Sequence, residues 1–324
     1  MDAVEEAELC FPLANDSCTK TRRPRLEATS VYVLLSVISL LTVTLNLLVI
    51  VSISHFRQLH GTTNLLLLSL AVSDLLVGLL LMPVEILLYG HCWILGDFAC
   101  AANFFLGFLL VSASVGNMML ISVDRYMAIC DAMFYSTRVS VRRVQLSVCL
   151  NWMFSAVHSS WLLRDKLSKP GRFNSCHGEC VITVNYADGL VDLFVTFFGP
   201  VSVIVVLYTR VFVVAVSQAQ AVRSQVKHSG AAMAKKSELK AARTLGVVVV
   251  VFLLCSCPYY YFSVVAEDAL VAPETAAAQV WLLYLNSCLN PLIYTFFYPW
   301  FRKSVRLIVT LKILQPDSCE AKML

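Results

Sequence analysis

Charged side chains are scarce in this sequence, and their scarcity excludes an ordinary soluble domain. Of the 324 residues, 14% are charged and 58% are hydrophobic, whereas a soluble domain carries about 25% charged residues. So few charges cannot cover a water-facing surface. The net charge of +4 is also too modest to indicate a nucleic-acid partner.

Signals of other protein classes are missing as well. The first thirty residues are polar and acidic where a cleavable signal peptide has an apolar segment, so we expect the first apolar span to act as an uncleaved signal. The histidines His91, His158 and His177 are scattered, and no Ser/His/Asp or metal-spaced cluster stands in the apolar stretches. The sequence therefore predicts no enzyme and no bound cofactor. We interpret His158 as a packing residue, because a lone histidine in a helix is more often that than a ligand.

What the sequence does have is long apolar runs. A membrane-spanning helix needs about 20 such residues, and seven runs qualify, at roughly 31–54, 64–89, 98–130, 144–163, 187–213, 241–266 and 276–298. They predict an all-α membrane protein, a seven-transmembrane-helix bundle with its termini on opposite sides. No repeat is visible, and we divide the chain into a tail (1–30), a seven-span domain (31–298) and a short amphipathic helix with its own tail (299–324).

Lysine and arginine side chains cluster in alternate connections between the predicted spans. They stand between spans three and four, between spans five and six, and after span seven: Arg138, Arg142, Arg143, Arg223, Lys227, Lys235, Lys236, Lys240, Arg302, Lys303, Arg306 and Lys312. Such connections stay cytoplasmic near anionic lipid, which predicts a plasma-membrane protein with an outer N-terminus and a cytoplasmic C-terminus. Asn15-Asp-Ser17, a glycosylation acceptor usable only outside, agrees; the basic run from Lys20 to Arg25 opposes the assignment.

The end of the seventh span carries the most specific motif, Asn286-Ser-Cys-Leu-Asn-Pro-Leu-Ile-Tyr-Thr-Phe-Phe-Tyr-Pro-Trp-Phe301. Pro291 leaves one backbone carbonyl of its helix without a donor, and Asn286, Ser287 and Asn290 are near enough to satisfy it. The motif resembles the end of the seventh helix in rhodopsin-like (class A) G-protein-coupled receptors. The fuller pattern, through Trp300-Phe301, resembles the trace-amine-associated receptor family.

Six cysteines lie in stretches that we expect outside, where an even set of cysteines predicts disulfides. They are Cys10, Cys18, Cys92, Cys100, Cys176 and Cys180, and their pairing cannot be decided from the sequence alone. The resemblance implies a bridge between Cys100 and Cys180. It further suggests two bridges that pin the tail over the mouth of the bundle, Cys10–Cys176 and Cys18–Cys92.

Polar side chains inside the apolar spans form a first candidate site. Asp74 in span two is an intramembrane carboxylate, and such a group faces the bundle interior. Its expected neighbours offer further oxygen atoms: Ser114, Asn286, Ser287 and Asn290. Together these residues resemble the allosteric sodium pocket of this receptor class, and oxygen ligands suit a small hard cation. The alternative is a polar cluster that holds the helices together without an ion.

Span three ends in the acid–arginine–aromatic triplet Asp124-Arg125-Tyr126, whose alternative reading is snorkelling charge at the membrane edge. The resemblance implies that Arg125 pairs with Asp124 and with Glu238 of span six, which holds the inner ends of two helices together. It implies further activation residues: Tyr208, Phe252, Pro258, Pro291 and Tyr294. The family usually has a tryptophan two residues before Pro258, where this chain has Ser256.

Span five carries two carboxylates four residues apart, Asp188 and Asp192, on one helical face. Asp192 precedes Pro200 by eight residues, roughly 12 Å of helix toward the outside, and an intramembrane carboxylate there is a functional-site candidate. Most amine receptors of this class carry their ligand-binding aspartate in span three, at the place that Gly107 occupies here. In this respect the chain resembles a group of fish trace-amine-associated receptors, and Asp192 is our candidate partner for a ligand ammonium.

The resemblance thus implies a receptor for amine odorants, whether mono-, di- or polyamines, that activates a heterotrimeric G protein of the cyclase-stimulating kind. The amine cavity would have aromatic walls, which attract ammonium groups: Phe108, Tyr259, Tyr260 and Tyr284. A second ammonium has candidate partners in Asp188, Glu85 and Asp268.

Two other functions compete with this one. Because Gly107 stands where most amine receptors of this class have their aspartate, one alternative keeps the receptor fold and has a peptide, a lipid or a neutral odorant as its ligand. A transporter would show internal repeats or broken helices at matching positions, and the sequence has neither. Replacing Asp192 with alanine and comparing amine with non-amine ligands separates the two receptor hypotheses.

Overall fold

A computed structural model gives the fold and describes residues 9–14, 16–19, 25–89, 92–169, 174–182, 184–224, 246–261 and 273–323. Its α-helices are α1 (Arg25–His55), α2 (Thr62–Leu76), α3 (Met82–Leu88), α4 (Gly96–Cys130), α5 (Ala132–Arg138), α6 (Val141–Leu162), α7 (Arg164–Ser168), α8 (Tyr186–Leu193), α9 (Gly199–Ser224), α10 (Gly246–Tyr261), α11 (Pro273–Phe297) and α12 (Pro299–Val309). The described ranges contain no β-strand, only two isolated bridges. The predicted roles of Asn15, Glu238 and Asp268 fall outside the described residues.

The long helices match the predicted spans. Within the described residues, five segments are long and apolar enough to cross a membrane: Ala28–His55, Thr62–Leu88, Gly96–Cys130, Tyr186–Val214 and Ala277–Phe297. The fourth span corresponds to α6, which has 22 residues but more polar side chains. The sixth corresponds to α10, which is apolar and shorter because the prediction of 241–266 extends beyond the described residues at both ends.

The bundle is apolar on its outside and polar in places on its inside, the reverse of a soluble protein. Leu40 and Phe212 are 67% and 70% exposed, as side chains that face lipid would be. Asn46, Asp74 and Asn290 are 0% exposed. A helix that is hydrophobic nearly all round belongs in a membrane or a large core, and the polar side chains mark the interior face.

The largest hydrophobic cluster fills the half of the bundle that contains Arg125. It joins side chains from all seven spans, among them Val49, Leu67, Ile204, Phe252 and Tyr294. We call this half the Arg125 end, and the half that contains the Cys100–Cys180 bridge the disulfide end. The disulfide end is packed by smaller separate clusters, which leaves room between the helices for cavities.

Two π-helical turns, Val77–Leu81 and Phe194–Phe198, interrupt spans two and five while keeping the chain helical. At the first turn, Gly78 lies so close to α1 that a Cβ there would be 2.8 Å from Thr42 Cγ2, so a larger residue would push the helices apart. Ser39 Oγ donates to the carbonyl of Gly78 at 2.9 Å and satisfies a backbone acceptor of the irregular turn. Each turn inserts an extra residue and therefore rotates the segment beyond it.

The carbonyl that Pro291 leaves without a donor belongs to Ser287, four residues earlier in α11. Asn46 of α1 donates its Nδ2 to this oxygen at 2.9 Å and to the carbonyl of Thr42 at 2.9 Å. The donor therefore comes from another span and not, as the sequence suggested, from the polar residues of the motif itself. The side chains of Ser287 and Asn290 donate to Asp74 instead.

Three disulfides close the disulfide end. Cys100 and Cys180 are bonded as predicted. The predicted pairing of the other four cysteines is wrong, because the observed bridges are Cys10–Cys92 and Cys18–Cys176.

The register of the N-terminal segment explains this exchange. Residues 9–14 and 16–19 lie side by side, with the Cys10 nitrogen donating to the Cys18 carbonyl at 2.8 Å. The second of these segments lies along His177: the His177 nitrogen donates to the Asp16 carbonyl at 2.8 Å, and the Cys18 nitrogen donates to the His177 carbonyl at 3.0 Å. Cys18 is therefore held beside Cys176, and Cys10 is left to reach Cys92.

The predicted amphipathic helix after the seventh span is α12. Trp300 and Phe301 are buried against the core, whereas Arg302 and Lys303 are exposed. Apolar and basic residues thus lie on different faces of one helix, as in helices that rest on a membrane surface.

Candidate functional site

A cavity opens among the helices at the disulfide end. The space between its walls is about 680 Å³, including the part open to solvent, and α3, α4, α8, α10 and α11 all contribute to the wall. Its polar and aromatic lining comprises Glu85, Asn103, Phe104, Phe108, Asp192, Thr196, Tyr259, Tyr260 and Tyr284. A second space of about 930 Å³ lies on the α8 side and shares Phe108, Asp192, Tyr259 and Tyr260 with the first. Asp192 therefore borders both.

Gly107 is part of the wall that α4 gives to this cavity. A Cβ built at this position would have only one atom within 4 Å, the Tyr284 Oη at 3.8 Å. Nothing in the described residues fills the place where another amino acid would project. The glycine therefore enlarges the cavity at its centre and leaves no charge on this wall.

Asp192 of α8 contributes a carboxylate to another wall of the cavity. Its side chain is 16% exposed, and its Oδ1 has no hydrogen-bond partner among the described residues. Thr196 donates to the backbone carbonyl of Asp192 at 2.7 Å and leaves the carboxylate itself available. A buried carboxylate without donors is costly, so this group favours a cationic partner.

His158 on α6 lies behind Asp192, and this neighbour was missed by the sequence analysis. Its Nε2 is 3.6 Å from Asp192 Oδ1, and its side chain is 6% exposed. Neither ring nitrogen has a hydrogen-bond partner in the described part of the chain. The ring does pack on Phe154 and Trp161, with centroids 6.1 Å and 6.2 Å away, so the predicted packing role is only part of its environment. The one available signal was a histidine inside an apolar span.

Asp188, the other predicted carboxylate of this helix, points elsewhere. Arg164 Nη2 lies 2.7 Å from Asp188 Oδ2, and the same guanidinium stands over the Trp161 ring at 5.2 Å from its centroid. Asp188 does not line either space at the disulfide end. The two carboxylates therefore have different partners although they are one turn apart.

The four aromatic residues predicted for the walls all line the cavity. Tyr260 is held in place, because its hydroxyl donates to Thr196 Oγ1 at 3.2 Å and its ring stacks on Phe197 with centroids 4.3 Å apart. Tyr259 meets Tyr260 edge-on at 5.2 Å. A rigid aromatic wall next to Asp192 suits a cation, because ring faces attract ammonium groups.

A polar cluster around Asp74 lies between the cavity and the Arg125 end of the bundle. Ser287 Oγ donates to Asp74 Oδ1 at 2.8 Å, and Asn290 Nδ2 donates to Oδ2 at 2.9 Å. Ser114 Oγ is 2.9 Å from Ser73 Oγ. The structure therefore brings the predicted oxygen ligands together. Asn286 Oδ1 and Asn290 Oδ1 are buried without a donor among the described residues, which fits a bound cation.

At the Arg125 end, Asp124 is surrounded by donors. Arg125 Nη2 lies 2.6 Å from Asp124 Oδ2, Thr63 Oγ1 donates to the same oxygen at 2.8 Å, and Tyr135 Oη donates to Oδ1 at 2.7 Å. Arg125 also donates to the Thr63 hydroxyl. Burial raises the pKa of Tyr135, which keeps this hydroxyl a donor.

Thr63 and Tyr135 were not predicted members of this network, because they reach it from the second span and from α5. Of the other predicted activation residues, Tyr208, Phe252 and Tyr294 belong to the hydrophobic cluster of this half, and Tyr126 packs on Ile129 and Val211. Pro258 instead precedes the cavity residues Tyr259 and Tyr260 in α10, and Pro291 lies inside α11. The hydroxyls of Tyr208 and Tyr294 have no hydrogen-bond partner in the described ranges. The Asp124–Arg125 pair is therefore formed, and neither of these two tyrosine hydroxyls takes part in it.

Comparison with known proteins agrees with this architecture. The family described as "7 transmembrane receptor (rhodopsin family)" matches residues 45–294. Trace amine-associated receptor 13c of Danio rerio is 36% identical over 332 aligned positions, covering 98% of this chain and 97% of the relative. Trace amine-associated receptor 1 of Macaca mulatta is 34% identical with 97% of each covered, and trace amine-associated receptor 8b of Mus musculus is 36% identical with 96% and 95% covered.

These matches run over nearly the whole chain and include the motif regions at both ends of the bundle. They place the chain among seven-helix, multi-pass membrane receptors rather than among enzymes. The chain belongs to the trace amine-associated receptor family of rhodopsin-like G-protein-coupled receptors.

Proposed function

We propose that this receptor senses protonated amines that enter from outside the cell and pair with Asp192. The single observation that carries the proposal is the Asp192 carboxylate at the wall of the cavity, whose Oδ1 is buried without any hydrogen-bond donor in the described residues. An ammonium provides both the charge and the N–H donors that this oxygen lacks. The names of the related receptors support the same ligand class.

The aromatic wall supports recognition of a cation in particular. Tyr259 and Tyr260 stand next to Asp192 and line both spaces that it borders. Each ring face within reach of an ammonium contributes about 0.5–2 kcal/mol. The carboxylate would fix the position of the nitrogen, and the rings would accommodate the carbon chain.

Signalling follows if the amine binds more tightly to an open form of the bundle than to the closed one, since only differential affinity shifts a conformational equilibrium. The closed form is held by the Asp124–Arg125 pair. Its release would open a cleft for a heterotrimeric G protein, by family resemblance the cyclase-stimulating kind. This requires a plasma-membrane orientation with the disulfide end outside and the C-terminus in the cytoplasm, which agrees with disulfides forming in an oxidising compartment.

A sodium ion beside Asp74 is a further part of the proposal. Ser114, Asn286, Ser287 and Asn290 would supply oxygen atoms with the carboxylate, and such ligands suit a hard cation. Bound there, the ion would neutralise Asp74 and favour the closed bundle. Amine potency that is the same in sodium and in an impermeant organic cation would contradict this assignment.

A second candidate function keeps the receptor and changes the ligand to a neutral odorant, lipid or peptide. The observation that favours it is Gly107, which leaves the α4 wall uncharged. The cavity also has apolar lining from Val111, Val280 and Leu283. This alternative predicts activation that does not depend on Asp192.

The two candidates are separated by replacing Asp192 with asparagine in cells with a cAMP readout. The matched control is Asp188→Asn. It removes the same charge one helical turn from Asp192, from a carboxylate that pairs with Arg164 and lies outside the cavity. Losing one partner of a buried ion pair costs about 3–5 kcal/mol, so we expect at least about a 100-fold loss of amine potency. The control should change potency by less than about fivefold. With equal surface expression, a wild-type amine response in the Asp192 variant would overturn the proposal.

A further inference from the structure

The cavity contains a second carboxylate that the amine site does not use. Glu85 on α3 lines the same space as Asp192 on α8. The two helices belong to different spans, and α4 packs against both of those spans. The two carboxylates therefore stand on separate walls with α4 between them.

The Glu85 carboxylate has no hydrogen bond or ion pair with any described residue. It is half-buried, and its neighbours in the lining are mostly apolar or aromatic. Two carboxylates around one apolar space repel each other, and each is costly to desolvate. One cation satisfies only one of them, so the cavity as a whole favours a ligand with two positive charges.

The helix geometry presents both carboxylates to this space. Glu85 comes four residues after the π-helical turn Val77–Leu81, and Asp192 comes two residues before the turn Phe194–Phe198. One inserted residue rotates the adjoining segment by roughly 100° relative to an uninterrupted helix. Both carboxylates therefore lie on segments turned out of phase with the rest of their span. π-helical turns occur frequently at functional sites.

Gly107 completes the arrangement. It lies on α4, between the two walls, and a Cβ there would meet only Tyr284 Oη within 4 Å. A side chain at this position would project into the space that joins Glu85 to Asp192. Its absence leaves an open path with apolar lining from Val111 and Leu283, which suits a chain of methylene groups.

We propose that the site takes a linear diammonium ligand, with one ammonium at Asp192, the other at Glu85 and the methylene chain passing Gly107. The inference rests on the proposed function for the Asp192 end and adds the second subsite and the class of ligand. Gly107 then no longer favours a neutral ligand, because the glycine makes room for the methylene chain of the diamine.

The test uses full-length receptor in cells, with unbranched α,ω-diamines of increasing length and the monoamine of matching carbon number for each. We expect diamines to be more potent than their matched monoamines, with an optimum length set by the separation of the two carboxylates. Glu85→Gln should lower the potency of the best diamine about 10- to 100-fold and leave its matched monoamine unchanged. The control Asp97→Asn removes a carboxylate that accepts from Asn174 at 3.0 Å, outside the cavity, and should affect neither ligand.

The outcomes separate the two claims. If Glu85→Gln weakens diamine and monoamine equally, or neither, the second subsite is wrong while the Asp192 site stands. If Asp192→Asn leaves both ligands active, the proposed function itself fails. Binding of labelled diamine, measured alongside signalling, distinguishes a lost subsite from a variant that binds normally and fails to activate. A variant absent from the cell surface is replaced by Glu85→Asp, which keeps the charge and should shift the optimum to longer diamines.

Discussion

The two ends of the bundle treat a buried carboxylate in opposite ways. At the Arg125 end, Asp124 accepts from Arg125, Thr63 and Tyr135. At the disulfide end, Asp192 keeps an oxygen with no donor among the described residues. A buried charge that is fully paired stabilises one arrangement of its helices, whereas one that is unpaired stays costly until a partner arrives. The first therefore holds a conformation, and the second provides a binding site.

Breaking the paired end should have the largest effect. Asp124→Asn removes the charge from a buried pair, which costs about 3–5 kcal/mol, so the closed bundle loses stability. We expect a large rise in cAMP without ligand, normalised to receptor at the cell surface. Asp131→Asn is the control, because its contact with Arg138 is long at 3.7 Å and exposed. Equal basal signalling in both variants would refute the proposal that the Asp124–Arg125 pair stabilises the closed bundle.

Giving Asp192 a cationic partner within the protein should have an effect of comparable size, but it should reduce the response to amines instead of raising basal signalling. His158→Lys places a permanent cation beside Asp192, which wild-type His158 Nε2 approaches to 3.6 Å. The internal ion pair should compete with the ligand and lower amine potency about 30-fold or more. His158→Gln keeps a neutral polar group there and serves as the control in the same dose–response series. Undiminished potency in the lysine variant would show that Asp192 is not the anchor.

A single hydrogen bond at the paired end should matter less. Tyr135→Phe removes the hydroxyl that lies 2.7 Å from Asp124 Oδ1 and leaves the arginine contact intact. The loss of about 1 kcal/mol should raise basal cAMP about fivefold, well below the effect of Asp124→Asn. Thr137→Ala, which loses only an exposed bond within α5, should leave basal activity unchanged. A larger rise in the phenylalanine variant than in Asp124→Asn would reverse the assigned roles.

The smallest expected effect is a dependence on pH. Lowering the pH from about 7.5 to about 5.5 crosses the range in which histidines titrate, while an aliphatic amine with a pKa of about 10 stays charged. A proton on His158 puts a positive charge beside Asp192, so amine potency should fall severalfold as the pH falls. His158→Gln should flatten this dependence. The carboxylates Asp192 and Glu85 remain in that variant, so an unchanged slope would assign the effect to protonation of these two groups.

The fold was predictable because it depends on local signals. Apolar runs give the spans by length alone, and the motif ending at Phe301 indicates the receptor class. The buried cluster around Asp74 was also predictable, since intramembrane polar groups have nowhere to face but inward. These conclusions need no knowledge of how the helices are rotated relative to one another.

Rotation and register are what the sequence did not provide. Asp188 and Asp192 share a helical face, yet one meets Arg164 and the other meets the cavity, because α6 and α7 supply partners from a distant part of the chain. His158 is likewise distant from Asp192 in the sequence, and only the packing of α6 against span five brings the two together. The cysteine exchange depended on which residues of the N-terminal segment run beside His177, and a shift of register changes every pairing.

The hydrogen bond from Asn46 to the Ser287 carbonyl has a consequence for how the receptor changes shape. It ties the peripheral first span to the seventh at the point where Pro291 weakens the backbone. Separating the two would expose an unsatisfied carbonyl in a medium without water, so these spans should travel as one rigid unit. Reporter dyes on α1 and α11 would then keep a constant distance during activation, while dyes on α4 and α10 would move apart.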